Sequence, residues 1–125
     1  MSSQILLSGG DKYYSYSGIV FGDVSAPATI NLITIDNTGL KDSYVFIEPY
    51  YGVPVSTANA SAPGIEVKID DVTVIKNQAN RQNNDMSHNT FRIFVSRQSK
   101  LEIISLNTSG NNTQDRGCTL IGYYL

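Results

Sequence analysis

Few residues in this chain are equipped for acid–base or nucleophilic chemistry. Its one histidine, His88, lies in an Asn-rich stretch, and no Gly-x-Ser-x-Gly elbow accompanies it, so a Ser/His/Asp triad has no frame. The one cysteine, Cys118, sits between Gly117 and an apolar run and reads as a small buried hydrophobe rather than a paired nucleophile. Asp70-Asp71 is the most obvious carboxylate pair, but two alternating runs flank it, so its place is a turn. Glu48, Glu66 and Glu102 fall on three separate strands, and Glu66 and Glu102 alternate with apolar residues, which points them to solvent. Asn83-Asn84-Asp85, and Asn111-Asn112 near Asp115, offer oxygen atoms for calcium. Each loop supplies only one carboxylate, whereas calcium sites usually use several. The glycines have neither the spacing nor the following helix of a phosphate-binding loop. The expectation is a protein that is not an enzyme, with no cofactor and no catalytic or metal site.

Tyrosine is the unusual residue. Eight are present, as Tyr13, Tyr14 and Tyr16, the lone Tyr44, the pair Tyr50 and Tyr51, and the pair Tyr123 and Tyr124. A tyrosine buries a large ring while its hydroxyl stays hydrogen-bonded, which makes it a good contact residue. Adjacent residues of a strand face opposite ways, so one of each pair can be core and the other surface. Tyr13, Tyr14, Tyr16, Tyr50 and Tyr51 are therefore candidate interface residues, although rings capping the ends of a sandwich would give the same pattern. Ile5, Leu6 and Leu7 join them, as an arm that docks on a neighbouring subunit or as an extra strand on their own domain. A sugar platform also wants flat aromatic surface, and the absence of tryptophan weakens that reading.

These residues must be held by strands, because no segment keeps a helical apolar stripe over three turns. Eight strands are expected, at about 13–21, 28–36, 43–48, 65–69, 72–76, 90–96, 100–107 and 117–124. Pro27 can stand only at the start of the second, and Pro49 is expected to end the third. Ile65, Val67 and Ile69 alternate with Glu66 and Lys68, Asp70-Asp71 follows, and Val72 and Val74 flank Thr73, the pattern of a tight hairpin. Leu101 and Ile103 change phase to Ile104 and Leu106, which marks a bulge or a strand buried on both faces. The segments 52–64 and 77–89 read as surface loops. The last strand is apolar to its end and must lie paired inside a sheet. Eight short antiparallel strands suit an all-β, two-sheet antiparallel sandwich of jelly-roll type. The organisation is residues 1–12 as an arm or extra strand and 13–125 as one domain.

Composition removes other classes. The 125 residues suffice for one core without staples. Charged residues make up 16%, Ser, Thr, Asn and Gln number 39, and Ile, Val and Thr number 31, which excludes a coiled coil and a charged disordered tail. A net charge of −2 argues against nucleic acid as partner. No apolar run is long enough for a membrane helix, so no membrane partner is expected. The N-terminus has no basic, apolar signal-peptide pattern, so synthesis in a cytoplasm is expected.

The hairpin Ile65-Glu-Val-Lys-Ile-Asp-Asp-Val-Thr-Val74, the strand Phe91-Arg-Ile-Phe-Val95 and the ending Gly117-Cys-Thr-Leu-Ile-Gly-Tyr-Tyr-Leu125 carry a resemblance. Over residues 13 to 125 the chain resembles small jelly-roll cement or decoration proteins of tailed bacteriophage virions. The ending also resembles the closing strand of tumour-necrosis-factor-like trimers. The resemblance implies a virion structural protein that self-associates, as a homotrimer, and binds the major capsid protein or another virion part. The alternative is a carbohydrate-binding module or receptor-binding tip that takes a surface glycan.

Overall fold

A computed structural model describes the backbone of residues 5–18, 20–21, 30–51, 63–78, 90–107 and 115–125, and the side chains of 10–18, 30–50, 64–76, 90–105 and 117–125. Ten strands form: β1 Ile5–Gly9, β2 Lys12–Tyr16, β3 Val20–Phe21, β4 Ile30–Ile35, β5 Ser43–Tyr51, β6 Pro63–Ile69, β7 Val72–Gln78, β8 Phe91–Val95, β9 Leu101–Asn107 and β10 Asp115–Tyr124. All pairings are antiparallel, in one sheet of order β1-β2-β10-β5-β8, with β3 also on β10, and a second of order β4-β9-β6-β7.

If β2 and β3 are taken as one strand broken near Gly18 (φ 70°), the eight expected strands are all present, four to a sheet. First pairs with last (β2/β3 with β10), second with seventh (β4 with β9), third with sixth (β5 with β8) and fourth with fifth (β6 with β7). A chain folded as one long hairpin and then wrapped around itself gives this nesting, which is the jelly roll. β1 adds an edge strand through the turn at Gly10–Asp11. The closing strand lies inside its sheet, between β2 and β5.

The core lies between the sheets. Leu32, Ile33, Ile35, Val45, Ile47, Ile65, Val67, Val95, Leu101, Ile103 and Leu120 are almost fully buried. At one end, the turn 96–100 is tied to two other connections, β4–β5 and β6–β7. Thr38 N–H donates to the Ser99 carbonyl, Gln98 N–H to the Gly39 carbonyl and Asp70 N–H to the Lys100 carbonyl. Lys100 N–H in return donates to Asp70 Oδ1 at 2.8 Å. Asp70 and Asp71 both have positive φ, 50° and 67°, as a two-residue hairpin turn of type I′ requires.

Three details differ from the sequence reading. β5 passes through Pro49 to Tyr51. Leu125 N–H donates to the Asp42 carbonyl, which fixes the alternation: even-numbered residues of β5 bond to β10 and odd-numbered ones face β8. Pro49 therefore withholds no N–H from β10. Among the described residues β8 pairs with β5 as far as Ile47, so the missing N–H of Pro49 interrupts no described ladder bond. The phase change near Ile103 is not a bulge in β9. The irregularity is in β4, between Asn31 and Ile33, and Ile104 is a half-buried residue on the outer face of its sheet. A bulge in the β6–β7 pairing puts Ile75 opposite Val67 and leaves Val72 and Val74 exposed.

Packing is close where β2, β10 and β5 meet. Gly122 lies opposite Tyr13 on one side and Val45 on the other, and a Cβ on it would stand 2.1 Å from Tyr13 Cζ. The Tyr13 ring thus crosses the central strand and its hydroxyl meets Ser43 Oγ at 2.9 Å on β5. Tyr124 packs 5.1 Å from the Tyr13 ring and donates its hydroxyl to the Thr38 carbonyl at 2.7 Å. We expect Gly122→Ala to lower unfolding free energy by about 2–4 kcal/mol. Tyr13→Phe, which leaves Ser43 without its partner, should cost about 1–2 kcal/mol. Urea unfolding followed by circular dichroism measures both.

Candidate functional site

The outward faces of the two sheets differ in kind. On the smaller sheet the outer rows read Thr34, Glu102, Lys68, Thr73 and Asn31, Ile104, Glu66, Lys76. Their polar groups bond to one another. Asn31 Nδ2 donates to Glu102 at 3.4 Å, Thr34 Oγ1 to Asn31 Oδ1 at 3.0 Å and Thr73 Oγ1 to Glu66 at 2.6 Å. This is an ordinary solvated face.

The larger sheet is aromatic outside. Across β2, β10, β5 and β8 its outer rows read Lys12, Tyr123, Tyr44, Phe94, then Tyr14, Ile121, Phe46, Arg92, then Tyr16, Thr119, Glu48, and last Gly117 opposite Tyr50. Tyr14, Tyr16, Tyr44, Tyr50, Phe94 and Tyr123 are each 38–49% exposed. From strand spacing and rise the four rows cover on the order of 400 Å², within the range of the largest patch on a typical monomer, which is often functional.

The rings are arranged against each other. Tyr44 and Phe94 meet edge-on at 5.8 Å, and Phe46 and Tyr123 do so at 5.6 Å. Each such contact adds about 0.5–1.5 kcal/mol and holds the rings in fixed poses before any partner arrives. Two cations lie on ring faces: Lys12 Nζ is 5.4 Å from the Tyr123 centroid and Arg92 Cζ 6.0 Å from that of Phe46. Two depressions indent the face. One is lined by Tyr44, Phe46, Arg92 and Tyr123; the other opens between Tyr16 and Tyr50.

Of the residues singled out from sequence, Tyr14, Tyr16 and Tyr50 come together on this face. Tyr13 does not: it is 2% exposed, is spent on the core, and presents no ring to a partner. The backbone of Ile5, Leu6 and Leu7 pairs with Tyr16, Ser15 and Tyr14, so these residues form the edge strand of their own sheet; their side chains, like that of Tyr51, lie outside the described residues. So do His88 and the loops containing Asn83-Asn84-Asp85 and Asn111-Asn112. Tyr44, Phe46, Phe94 and Tyr123 complete the face and were not among the candidates. Their signal was strand parity: if Phe91, Ile93 and Val95 point inward, Phe94 points outward, and Tyr44 and Phe46 do so because Val45 and Ile47 do not.

Cys118 faces inward and is buried. Burial, with the Glu48 charge adding to it, pushes its thiol up to about 12. Burial also raises the Tyr13 hydroxyl, against the lowering effect of Ser43. Protons held more tightly in the folded state stabilise it fully below the unfolded thiol's value near 9 and lose that effect as pH rises toward 12. Unfolding free energy should therefore fall between pH 9 and 12, by up to about 1.4 kcal/mol per unit from the thiol alone. At pH 8 a thiol reagent should label Cys118 only after unfolding. Guanidine titrations at stepped pH and timed labelling check both.

No family model matches the sequence, and no curated protein does. Ten chains of solved structure match the fold. They include the VP2 subviral particle of infectious bursal disease virus, 14% identical over 99% of this chain with a TM-score of 0.44, and the Gt strain of that virus, 15% identical over 98% with a TM-score of 0.44. Another is the dimeric latent PorU of Porphyromonas gingivalis, 6% identical over 98% with a TM-score of 0.40. The chain covers 32% and 33% of the two viral chains and 14% of the PorU chain.

Proposed function

We propose that this is a non-enzymatic structural protein that works by adhesion through the aromatic face of its larger sheet. It joins copies of itself and seats them on a repeating protein surface, as a cement or decoration protein of a phage virion. The observation that carries the reading is the contrast between the two outer faces. The face with self-satisfied polar groups suits water, and the face of ordered rings suits a partner. Tyrosines shed water at low cost because few ions must be stripped, and tyrosine and arginine are the residues that dominate protein contacts.

The low overall charge supports the same reading, since two copies approach without strong repulsion. On a lattice, modest contacts act in concert and become strong together, and binding the folded lattice stabilises the shell by mass action. The phage assignment, the capsid protein as partner and the three-fold association rest on the likeness of the hairpin and of the closing strand set out above.

Sedimentation velocity over a range of concentrations tests the core of the proposal. Wild type is expected to self-associate, and the double variant Tyr44→Ser, Phe94→Ser to sediment as a monomer with its circular dichroism unchanged. A wild-type monomer at high concentration overturns the reading, as does an oligomer that the double variant leaves intact. Mass spectrometry of purified particles from producing cells then checks the virion assignment.

A further inference from the structure

One end of the aromatic face holds a feature that flat ring packing does not use. Tyr16, Thr119 and Glu48 lie side by side on β2, β10 and β5, and Tyr50 is the next outward residue of β5, opposite Gly117. Gly117 supplies no side chain and Thr119 a short one. A cleft of about 500 Å³ therefore opens between the two tyrosines, with Glu48 on its lining. The strands carrying the two rings are about 10 Å apart, two inter-strand spacings, which leaves room for a flat group between them.

The chemistry of this cleft selects its occupant. An ionised carboxylate only accepts hydrogen bonds, and the carboxylate of Glu48 makes no hydrogen bond or ion pair with another described residue. Phenol ring faces attract cations. The other rows of this face already show that pairing internally, with Lys12 on Tyr123 and Arg92 on Phe46. The cleft adds an anion to the ring faces. A neutral occupant would strip water from Glu48 without compensating its charge, whereas a cation compensates it.

We propose that the cleft between Tyr16 and Tyr50 receives a cationic side chain of a protein partner, with Glu48 as its counter-ion. A guanidinium fits best, because it is planar, stacks on aromatic rings and meets a carboxylate with two parallel hydrogen bonds. This site is separate from the Tyr44–Phe94 contact, so its occupancy and self-association can fail independently.

The test is titration of isotope-labelled protein with N-acetyl-arginine amide, followed by amide NMR. The amides of Gly117, Thr119 and Tyr50 are expected to shift with a dissociation constant of the order of millimolar. The uncharged isostere N-acetyl-citrulline amide should bind about tenfold more weakly. Glu48→Gln should weaken the arginine probe by about the same factor, and Thr119→Lys, which tethers an ammonium in the cleft, should abolish binding. Both residues are exposed, so a dispersed spectrum confirms that each variant folds. Equal binding of the citrulline probe, unchanged affinity in Glu48→Gln, glucose moving the same amides as strongly, or no shift with the arginine probe would each overturn the proposal. Sedimentation of the same samples shows whether self-association stands or fails apart from this result.

Discussion

The ring of Tyr13 lies across the backbone of Gly122, and the arrangement of the larger sheet follows from that contact. A strand has only two faces, so fixing one side chain fixes the parity of all its neighbours. With Tyr13 turned into the core against the bare backbone of β10, Tyr14 and Tyr16 must point out. With Tyr124 turned in to reach Thr38, Tyr123 must point out. The hydroxyl of Tyr13 continues to Ser43, which sets β5 in the same phase and sends Tyr44 and Phe46 outward. A slip of one residue in β2 would carry its two outer tyrosines into the core and Tyr13 to the surface. The aromatic face is thus a consequence of how the two ends of the chain lock together.

The same parity explains what was legible in the sequence. Alternating runs such as Ile65, Val67, Ile69 and Phe91, Ile93, Val95 mark their strands because one side is apolar and the other is not. The Asp70-Asp71 turn is legible because only a few residue types accept positive φ there. The aromatic face is harder to see, because on β5 both sides are apolar: Tyr44 and Phe46 look like core when read along the chain and declare themselves only when the register pairs them with Tyr123 and Phe94. Tyr13 failed as a surface candidate for the related reason that three nearby tyrosines look alike until a neighbour without a side chain claims one. The passage of β5 through Pro49 depends on the register with β10, which bonds the even-numbered residues and not Pro49, a long-range fact that no local rule contains.

Neutral polar residues serve two different ends in this molecule. On the smaller sheet Asn31, Thr34 and Thr73 bond to the few charged groups beside them, so that face is complete in itself. In the turns, Thr38, Ser96 and Ser99 tie the connections together, with Ser99 N–H donating to Thr38 Oγ1 and the two serine hydroxyls 3.1 Å apart. The low charge of the chain is therefore partly structural. Among the described residues, what it leaves over is a broad face on which rings, two stacked cations and one acid are the main groups presented.

The proposed adhesion uses that face rather than a sheet edge, and the edge strand β8 shows why. An open strand is a ready template for adding another chain. β8 is such a strand at one end of the larger sheet. β8 is itself only five residues long and carries Arg92, a charged side chain of the kind that discourages pairing at an edge. Strand addition is thus discouraged at β8, while the rings on the face of the sheet are partly exposed. A partner gains most by lying across the rows, where each ring it covers is already held in place by its neighbour.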